Sequence, residues 1–510
     1  MESSSFIRVG HYKSPMRVLA GILLRSRETQ AERVRRKSSD IEKLRRINHR
    51  QQREIEKLRE QLSQQKLQIA QLQIENQQQR EQPAVLPHDP VLPYHEFGPK
   101  MISVCVNLAM NVGLRASIKC MKIVLNWLGV DARLPTWTTV RTWLMRLGVA
   151  SLEAPVEQAD DWVWMADHSN QIGQEKALAV IGIRASNMPP PGVAIGHQDV
   201  RLLMLEPGID WKTDDMSAAY QRLAEKAGDP LAVLTDGACE LREGAQTLQK
   251  RRKDTLILGD FKHHAANVLK KMVGRDERFA EFTSQTGRTR SAIQQTELAH
   301  LAPVSIRPKA RFMNMSATLK WANMLLWHLA HPYSTAREGI TTSRMNDKLG
   351  WLRNYRDDIQ RWSRCQDVVS MSLTFVNEQG VFRGATDQLA KFLSSLPLCD
   401  ASRTVVEQLL EFLREYELKL PDGQRLPLST EILESCFGLY KQLERQHSKG
   451  GFTSLLASFG ALLQPATPDI IRESFTRVSV KQMRAWVTEN LGTTVASKRQ
   501  SAFAEYKAVA

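Results

Sequence analysis

Two acidic residues of this 510-residue chain each follow a strongly apolar segment, at the point where the segment ends. Asp167 closes "DWVWMAD" and Asp236 closes "LAVLTD". Such segments are typical of buried strands, so we expect both carboxylates to emerge at one edge of a sheet. Clustered carboxylates repel one another unless cations neutralise them, and Mg²⁺ prefers oxygen ligands. Either aspartate alone is better explained as a turn former, but the pair on strands of this order favours a metal site.

The neighbouring segments indicate the sheet that would hold these aspartates. After Asp167 come the strand-like segments "KALAVIGIRAS" and "VRLLMLEP", and then a capped helix that stops at Gly228. The strand closed by Asp236 is followed by a fifth strand, which passes Asp260 into the helix "FKHHAANVLKKM". This is the element order of an RNase H-like core: three strands able to pair antiparallel, then a helix, then two strands separated by another helix. The sequence therefore predicts an α/β fold with such a core.

From about residue 100 to 455 this order resembles the DDE transposases of bacterial insertion sequences, whose catalytic core is RNase H-like. The segment "DFKHHAANVLKK" resembles the C/D-x-x-H element of hAT- and Mutator-like transposases, here Asp260 and His263, which lies beside the catalytic site. The segment "ESCFG" resembles the E-S-x-F-G motif that carries the catalytic glutamate, here Glu434. The resemblance implies that Asp167, Asp236 and Glu434 bind two Mg²⁺ ions, for which Mn²⁺ can substitute, and catalyse phosphoryl displacement.

The resemblance also favours Glu434 over Glu431, which lies one turn earlier. In some insertion-sequence families a lysine follows the glutamate after six residues, and Lys441 stands at that spacing from Glu434. About two helical turns separate the pair, so both share a face, and the lysine could hold a DNA phosphate. Glu431 has Gly438 at the corresponding place, where we expect a locally irregular or closely packed turn. The family signature has Arg four residues before the glutamate, whereas this chain has Thr430.

The composition points to DNA as a partner. Lys and Arg exceed Asp and Glu by 15, and residues 1–60 hold 16 basic and 8 acidic side chains. Such an excess favours a polyanionic partner, although a solvated arm is the plainer explanation of the N-terminal charge. The six cysteines form no C-x-x-C pair, which argues against a zinc site and a disulfide framework and fits a reducing cytoplasm. The resemblance implies a bacterial protein associated with the nucleoid. No apolar run reaches about 18 residues, so we expect no membrane span.

A heptad pattern runs from Val34 to Asn76 and predicts a coiled coil. Asparagine at position a is tolerated best in two-stranded coils, so a parallel homodimer is favoured over a single helix packed on its own protein. Lys37, Gln51 and Gln65 also fall at d and make the seam imperfect. The a positions are Val34, Ile41, Asn48, Ile55, Leu62, Ile69 and Asn76, and the apolar d positions are Leu44, Leu58 and Leu72.

Three short helices after the coil resemble a helix-turn-helix. A break near Gly113 separates the first two, and the third has Thr136 or Thr138 as its N-cap and Gly148 as its stop. DNA contacts are expected from its outer face, at Thr138, Arg141 and Arg146. A second basic segment, with Arg307, Lys309 and Arg311, is predicted either as a phosphate-binding loop or as an ordinary solvated loop.

These observations divide the chain into eight parts. They are a basic arm (1–33), a coiled coil (34–82), a Pro-rich linker (83–97), a helix-turn-helix domain (98–152), the first part of the core (153–267), a helical insertion (268–420), the catalytic helix (421–455) and a helical C-terminal region (456–510).

The interpretation as a whole is a dimeric transposase that binds the terminal inverted repeats of its element. It would cut there and join the 3′-hydroxyl ends to target DNA. Two other classes stay open at this point. One is a DNA-binding regulator that no longer cuts, and the other is an RNase H-like nuclease without strand transfer.

Overall fold

The computed structural model describes residues 15–81, 88–170, 175–305, 315–331, 340–446, 453–491, 498 and 501–506. The chain forms two compact units. The first contains residues 1–86 and 126–131, and the second contains residues 87–125 and 132–510. Within the described residues, no helix combines the length and the apolar character needed to cross a membrane.

The first unit is dominated by one long helix, α1 (Pro15–Glu81). Proline fits the first position of a helix because its missing N–H would have no partner there. Strong helix formers such as Gln, Glu, Lys, Arg and Leu then continue the helix for 67 residues. The helix thus starts inside the segment predicted as a basic arm. Its heptad apolar side chains, from Val34 to Leu72, are exposed in the single chain.

A mixed five-stranded sheet lies at the centre of the second unit. Its strand order is β3-β2-β1-β4-β5. β1 pairs antiparallel with β2, as does β2 with β3, while β4 runs parallel to both β1 and β5. The predicted α/β class is confirmed, with the strands in the predicted chain order. The strands are β1 (Trp162–Asn170), β2 (Glu175–Arg184), β3 (Arg201–Ile209), β4 (Ala232–Thr235) and β5 (Leu256–Gly259).

Alternation along the strands sends side chains to two different cores. On β1, Trp162, Trp164 and Ala166 pack with α5 (Thr213–Ala227) and α6 (Cys239–Gln246). Val163 and Met165 face the other way, into the larger core built mainly by the helices that follow the sheet. The side chain of the residue after Ala166 therefore points to the same side of the sheet as Val163, towards the larger core.

In its described residues, the segment predicted as a helical insertion consists of helices joined by turns and loops, with one two-residue strand. β6 (Val381–Phe382) pairs antiparallel with β7 (Arg425–Leu426), which lies just before the candidate catalytic helix. The helices of the larger core region are α7 (Phe261–Val273), α8 (Glu277–Ile293), α9 (Met315–Ala330), α10 (Thr342–Leu349), α11 (Arg356–Gln379), α12 (Ala385–Leu393), α13 (Asp400–Glu417) and α14 (Glu431–Arg445).

The three predicted helices of the helix-turn-helix exist as α2 (Pro99–Val112), α3 (Leu114–Trp127) and α4 (Trp137–Leu152). Gly113 separates the first two with a φ of 90°, and Thr136 caps α4 by accepting a hydrogen bond from the Thr139 amide. α4 does not stop at Gly148. A Cβ there would lie 2.0 Å from the Ala457 carbonyl oxygen, so the glycine allows the 3-10 segment Ser454–Leu462 to approach the helix closely.

The prediction that Arg146 contacts DNA is wrong. Its side chain is only 5% exposed and lies over the Phe475 ring, with 4.2 Å from guanidinium to ring centroid. The guanidinium donates hydrogen bonds to the backbone carbonyls of Phe475 and Val478, and burial lowers its pKa to about 10. Both carbonyls belong to the region of α15 (Pro468–Arg477) and α16 (Val480–Leu491). The apolar pattern of α4 did not reveal that C-terminal helices cover this face.

Two glycines inside helices make a matched test of this packing. We expect Gly148→Ala to destabilise the protein by about 1–3 kcal/mol, because a Cβ would overlap backbone atoms that have little room to move. Gly438→Ala, in α14, should instead stabilise by up to about 1 kcal/mol, because open space surrounds the site and alanine is the better helix former. Urea unfolding of both variants measures the difference. Equal effects would contradict the close approach at Gly148.

Candidate active site

Three aspartates form a row across the parallel part of the sheet. In the strand register, Ala166 of β1 pairs with Thr235 of β4, and Thr235 pairs with Gly259 of β5. The next residue on each strand is aspartate: Asp167, Asp236 and Asp260. The prediction that Asp167 ends its strand is wrong, because β1 continues to Asn170. Asp236 and Asp260 directly follow β4 and β5, so the carboxyl ends of the parallel strands bring the acids together.

Strand alternation puts the three side chains on the same face of the sheet. They continue the face of Met165, Leu234 and Leu258, all of which belong to the larger core. Helix α14 packs on this face through apolar side chains of the same core, and it contacts β1. Glu434, in the first turn of α14, is therefore carried to the side of the sheet from which Asp167 and Asp236 project. The buried side chains of α14 include Leu433, Cys436, Phe437 and Tyr440.

One carboxylate oxygen of Asp236 stabilises the turn after β4. Oδ1 accepts a hydrogen bond from the Ala238 amide at 2.9 Å, and Gly237 between them has a φ of 90°. The turn needs glycine because a side chain would be strained at that φ. The turn-former explanation of "TDG" is therefore correct, and it fixes the orientation of the carboxylate. Asp167 is held similarly, with Oδ1 2.6 Å from the backbone nitrogen of His168.

Asp260 joins the beginnings of two helices. It caps α7, since Oδ1 accepts a hydrogen bond from the Lys262 amide at 3.0 Å. It also accepts hydrogen bonds from the Thr430 amide at 3.2 Å and from the Thr430 hydroxyl at 2.8 Å. Thr430 is the N-cap residue of α14, so this buried carboxylate fixes α14 against α7. Sequence reasoning noted Thr430 only as a departure from a family signature and missed this role.

His263 contacts both Asp260 and the neighbourhood of Glu434. Its Nδ1 lies 2.5 Å from Asp260 Oδ2 and 4.0 Å from Glu434 Oε1. The hydrogen bond with Asp260 raises the pKa of His263 to about 9, with further raising by the charges of Asp260, Asp236 and Glu434. At neutral pH the imidazole is therefore a cation beside the row of acids.

The two carboxylate oxygens of Glu434 have different surroundings. Oε2 accepts a hydrogen bond from the Lys262 ammonium at 2.8 Å. Oε1 is buried and has no hydrogen-bond partner among the described residues. A buried polar atom without a partner is unfavourable, and a carboxylate oxygen in this state is a natural ligand for a cation.

The pKa of Asp167 is raised to about 7. Burial is the main cause, and the negative charge of Asp236 is the next, with a smaller contribution from Glu434. The backbone amide of His168 and the charge of His263 act in the opposite direction. The acids thus interact strongly enough that a proton or another cation is needed to neutralise them.

The donor atoms test whether a metal fits here. Among the described residues, the only three His, Cys, Asp or Glu ligand atoms found within 4.8 Å of one another belong to Asp260, His263 and Glu434. Asp167 and Asp236 share the sheet face with Glu434 but do not form such a compact group with it. Asp260 and His263 already bind each other, whereas Glu434 Oε1 has no hydrogen-bond partner in the part of the chain that the structure describes. Asp167, Asp236 and Glu434 offer only oxygen, which fits Mg²⁺ or Mn²⁺.

The comparisons with known proteins are sparse. No family model matches the chain, and no curated protein matches it. Among solved structures, the strand transfer complex of the Drosophila P element transposase is similar, with a TM-score of 0.34 and 13% sequence identity. The similarity covers 76% of this chain and 94% of that chain.

Other predicted site residues lie apart from the acids. The Lys441 ammonium lies 5.9 Å from the centroid of the Phe437 ring. The ammonium of a different lysine, Lys262, contacts Glu434. Thr138 is exposed in the first turn of α4, while Arg141 is half-buried and donates to the Ser454 hydroxyl. Arg307, Lys309 and Arg311 lie outside the described residues.

The turn at Gly438 is neither irregular nor closely packed, contrary to expectation. Helix α14 continues through it, and a Cβ there would meet no atom within 4 Å. His168 lies on the opposite face of β1 from Asp167. Its ring centroid is 5.8 Å from that of Trp211, and its Nδ1 is 3.9 Å from Glu240.

The raised pKa values predict how stability depends on pH without divalent cations. The folded-state pKa values of about 7 for Asp167 and about 9 for His263 exceed the ordinary values of 3.8 and 6.5. Both groups bind more protons in the folded state, so the free energy of unfolding should fall as pH rises. The contribution of Asp167 is lost as pH rises through about 7, and that of His263 as pH rises through about 9.

Urea unfolding in EDTA between pH 5 and 9 measures this dependence. Asp167→Asn should flatten the lower part of the curve, because the amide does not titrate, and His263→Gln should flatten the upper part. An Asp167→Asn variant that kept the wild-type slope between pH 5 and 8 would contradict the assignment to Asp167.

Proposed function

We propose that this chain is a DDE-type transposase with an RNase H-like core. The observation that carries the proposal is the convergence of Asp167 and Asp236, on adjacent parallel strands, with Glu434 of α14 on one sheet face. The buried oxygen of Glu434, which accepts no hydrogen bond from any described residue, and the raised pKa of Asp167 both favour cations at this face. The resemblance of "DFKHH" and "ESCFG" to transposase motifs supports the same reaction class.

Each residue has a distinct task in the proposed reaction. Asp167 and Asp236 would hold metal from the sheet, and Glu434 would hold it from the helix side. Two bound Mg²⁺ ions, or Mn²⁺, would activate the attacking water or 3′-hydroxyl and stabilise the leaving oxygen. Asp260 fixes α14 at its correct distance from the sheet through Thr430. His263, cationic at neutral pH, would attract the DNA phosphate towards the acids.

DNA is the proposed substrate. The formal net charge of +15 favours a polyanion, and the exposed Thr138 in the first turn of α4 remains a candidate contact. We propose that the protein binds the terminal inverted repeats of its element, cuts there, and joins the 3′-hydroxyl ends to target DNA. The basic segment with Arg307, Lys309 and Arg311 is a further candidate for phosphate contact. Lys441, two turns beyond Glu434, is proposed to hold a phosphate farther from the cut.

Substitution of the three acids tests the reaction. Asp167→Asn, Asp236→Asn and Glu434→Gln should each reduce Mg²⁺-dependent cleavage of DNA carrying the repeats of the protein's own locus. The loss should exceed about 100-fold, because removing even an outer partner of a metal ligand costs about 10–100-fold. Binding of the repeats should persist. Glu431→Gln, one turn earlier on α14, is the matched control and should lose less than about tenfold.

The wild-type products decide between the alternatives. Cleavage followed by joining supports the transposase. Cleavage without joining would instead indicate a nuclease without strand transfer. Specific binding without any cut, in Mg²⁺ or Mn²⁺, would contradict both enzymes and indicate a DNA-binding regulator.

The exposed heptad side chains of α1 support a homodimer through a coiled coil. Ile55→Glu places a charge in the seam of both helices and should raise the dimer dissociation constant by at least about 100-fold, since burial of each of the two side chains contributes about 1.5–3 kcal/mol. Leu67→Glu, at position f on the outer face, should leave the constant unchanged. Sedimentation equilibrium measures both. Equal effects of the two substitutions, or a wild-type monomer, would contradict the predicted seam.

A further inference from the structure

Lys262 holds a position in the candidate site that the proposed reaction does not yet use. It lies in the first turn of α7, and its side chain is 20% exposed. Its ammonium is 2.8 Å from Glu434 Oε2 and 3.4 Å from Glu431 Oε1. The cap made by Asp260 fixes the backbone of Lys262, because Asp260 Oδ1 accepts a hydrogen bond from its amide. The lysine therefore bridges two glutamates one turn apart on α14.

The two oxygens of Glu434 show what this bridge achieves. Lys262 neutralises the carboxylate from one side, yet Oε1 stays buried without a hydrogen-bond partner among the described residues, and its nearest cation is His263, whose Nδ1 lies 4.0 Å away. One ammonium cannot satisfy both oxygens in this geometry. A divalent cation bound at Oε1 would lie close to the ammonium on Oε2, and the two positive charges would repel each other. Lys262 and a metal on Glu434 therefore compete for one carboxylate.

Glu431 offers the ammonium a second place. Its Oε2 accepts a hydrogen bond from the Asn377 amide at 2.5 Å, while Oε1 faces Lys262. Glu431 is 47% exposed and belongs to the rim of the site, so an ammonium there is farther from the acids of the sheet. The four-carbon stem of lysine is flexible enough for such a shift. The hydrogen bond from Asn377 keeps Glu431 in position to receive it.

We propose that Lys262 is a displaceable counter-cation, which occupies Glu434 while no divalent cation is bound and transfers to Glu431 when Glu434 becomes a metal ligand. This inference rests on the proposed function, because it assumes that Glu434 binds metal. After the transfer the ammonium remains at the rim of the site, where it can hold a non-bridging oxygen of the DNA phosphate. Lys262 is thus a residue that couples metal binding to phosphate binding.

The charge state of Lys262 agrees with this role. Burial lowers the pKa of the ammonium, but the hydrogen bond and charge of Glu434 and the charge of Glu431 outweigh burial and raise the pKa above its ordinary value. The group is therefore charged where it contacts Glu434.

Metal titration of Lys262 variants tests the proposal. Isothermal titration calorimetry with Mn²⁺ alone measures the affinity of the full-length protein, and single-turnover cleavage in Mg²⁺ measures the rate on repeat DNA. Lys262→Met, which keeps the length but removes the charge, should bind Mn²⁺ about tenfold more tightly, because a neighbouring positive charge is lost. Its cleavage rate at saturating metal should nevertheless fall about tenfold or more, because the phosphate loses a contact. Lys262→Arg should recover part of the rate.

Lys271→Met is the matched control, since Lys271 is an exposed residue of the same helix. Its Mn²⁺ affinity should equal that of the wild type, which separates competition at Glu434 from a general change in charge.

If the wild type cleaves DNA but Lys262→Met binds Mn²⁺ with the wild-type affinity, the inference is overturned and the proposed function still stands. If Lys262→Met binds Mn²⁺ more tightly but the wild type cuts no DNA, counter-cation displacement stands and the transposase assignment fails. A wild type that binds no divalent cation would overturn both.

Discussion

Repulsion between partly buried carboxylates at the end of three parallel strands is the constraint on which the site depends. Asp167, Asp236 and Asp260 occupy equivalent register positions of β1, β4 and β5, and all three face the same core. The protein handles these charges in different ways. Asp260 accepts hydrogen bonds from three groups and pairs with a cationic histidine, whereas Asp167 accepts one backbone hydrogen bond and its pKa rises to about 7. The first connects the two helices, and the second is a candidate metal ligand.

The neighbouring helices are positioned to serve this row of acids. α7 begins at Asp260 and brings Lys262 and His263 within one turn, and α14 begins at Thr430 and brings Glu431 and Glu434. Because Asp260 binds the N-cap residue of α14, the two helix starts cannot separate without leaving a buried carboxylate unsatisfied. Positive side chains on α7 thus meet negative side chains on α14, directly above the sheet.

Much of this arrangement was predictable from sequence because it depends on local signals. Apolar segments ending in aspartate identified β1 and β4, and the motif "DFKHH" identified the start of α7 with its histidine. What could not be predicted were contacts across long separations. Lys262 and Glu434 are 172 residues apart, and no periodicity indicates that they touch. The prediction of a DNA contact at Arg146 was wrong for the same reason. The helix has an amphipathic pattern, but the partners of Arg146 are the distant residues 475 and 478.

The fastening between Asp260 and Thr430 also has a consequence for biosynthesis. The sheet and both of its candidate catalytic aspartates are complete by residue 260, but Glu434 is added only after the whole helical segment between α7 and α14 has been made. A nascent chain would hold helices α2 to α4 and two of the acids without the third. The candidate site would therefore be completed late in translation, when α14 docks against the sheet.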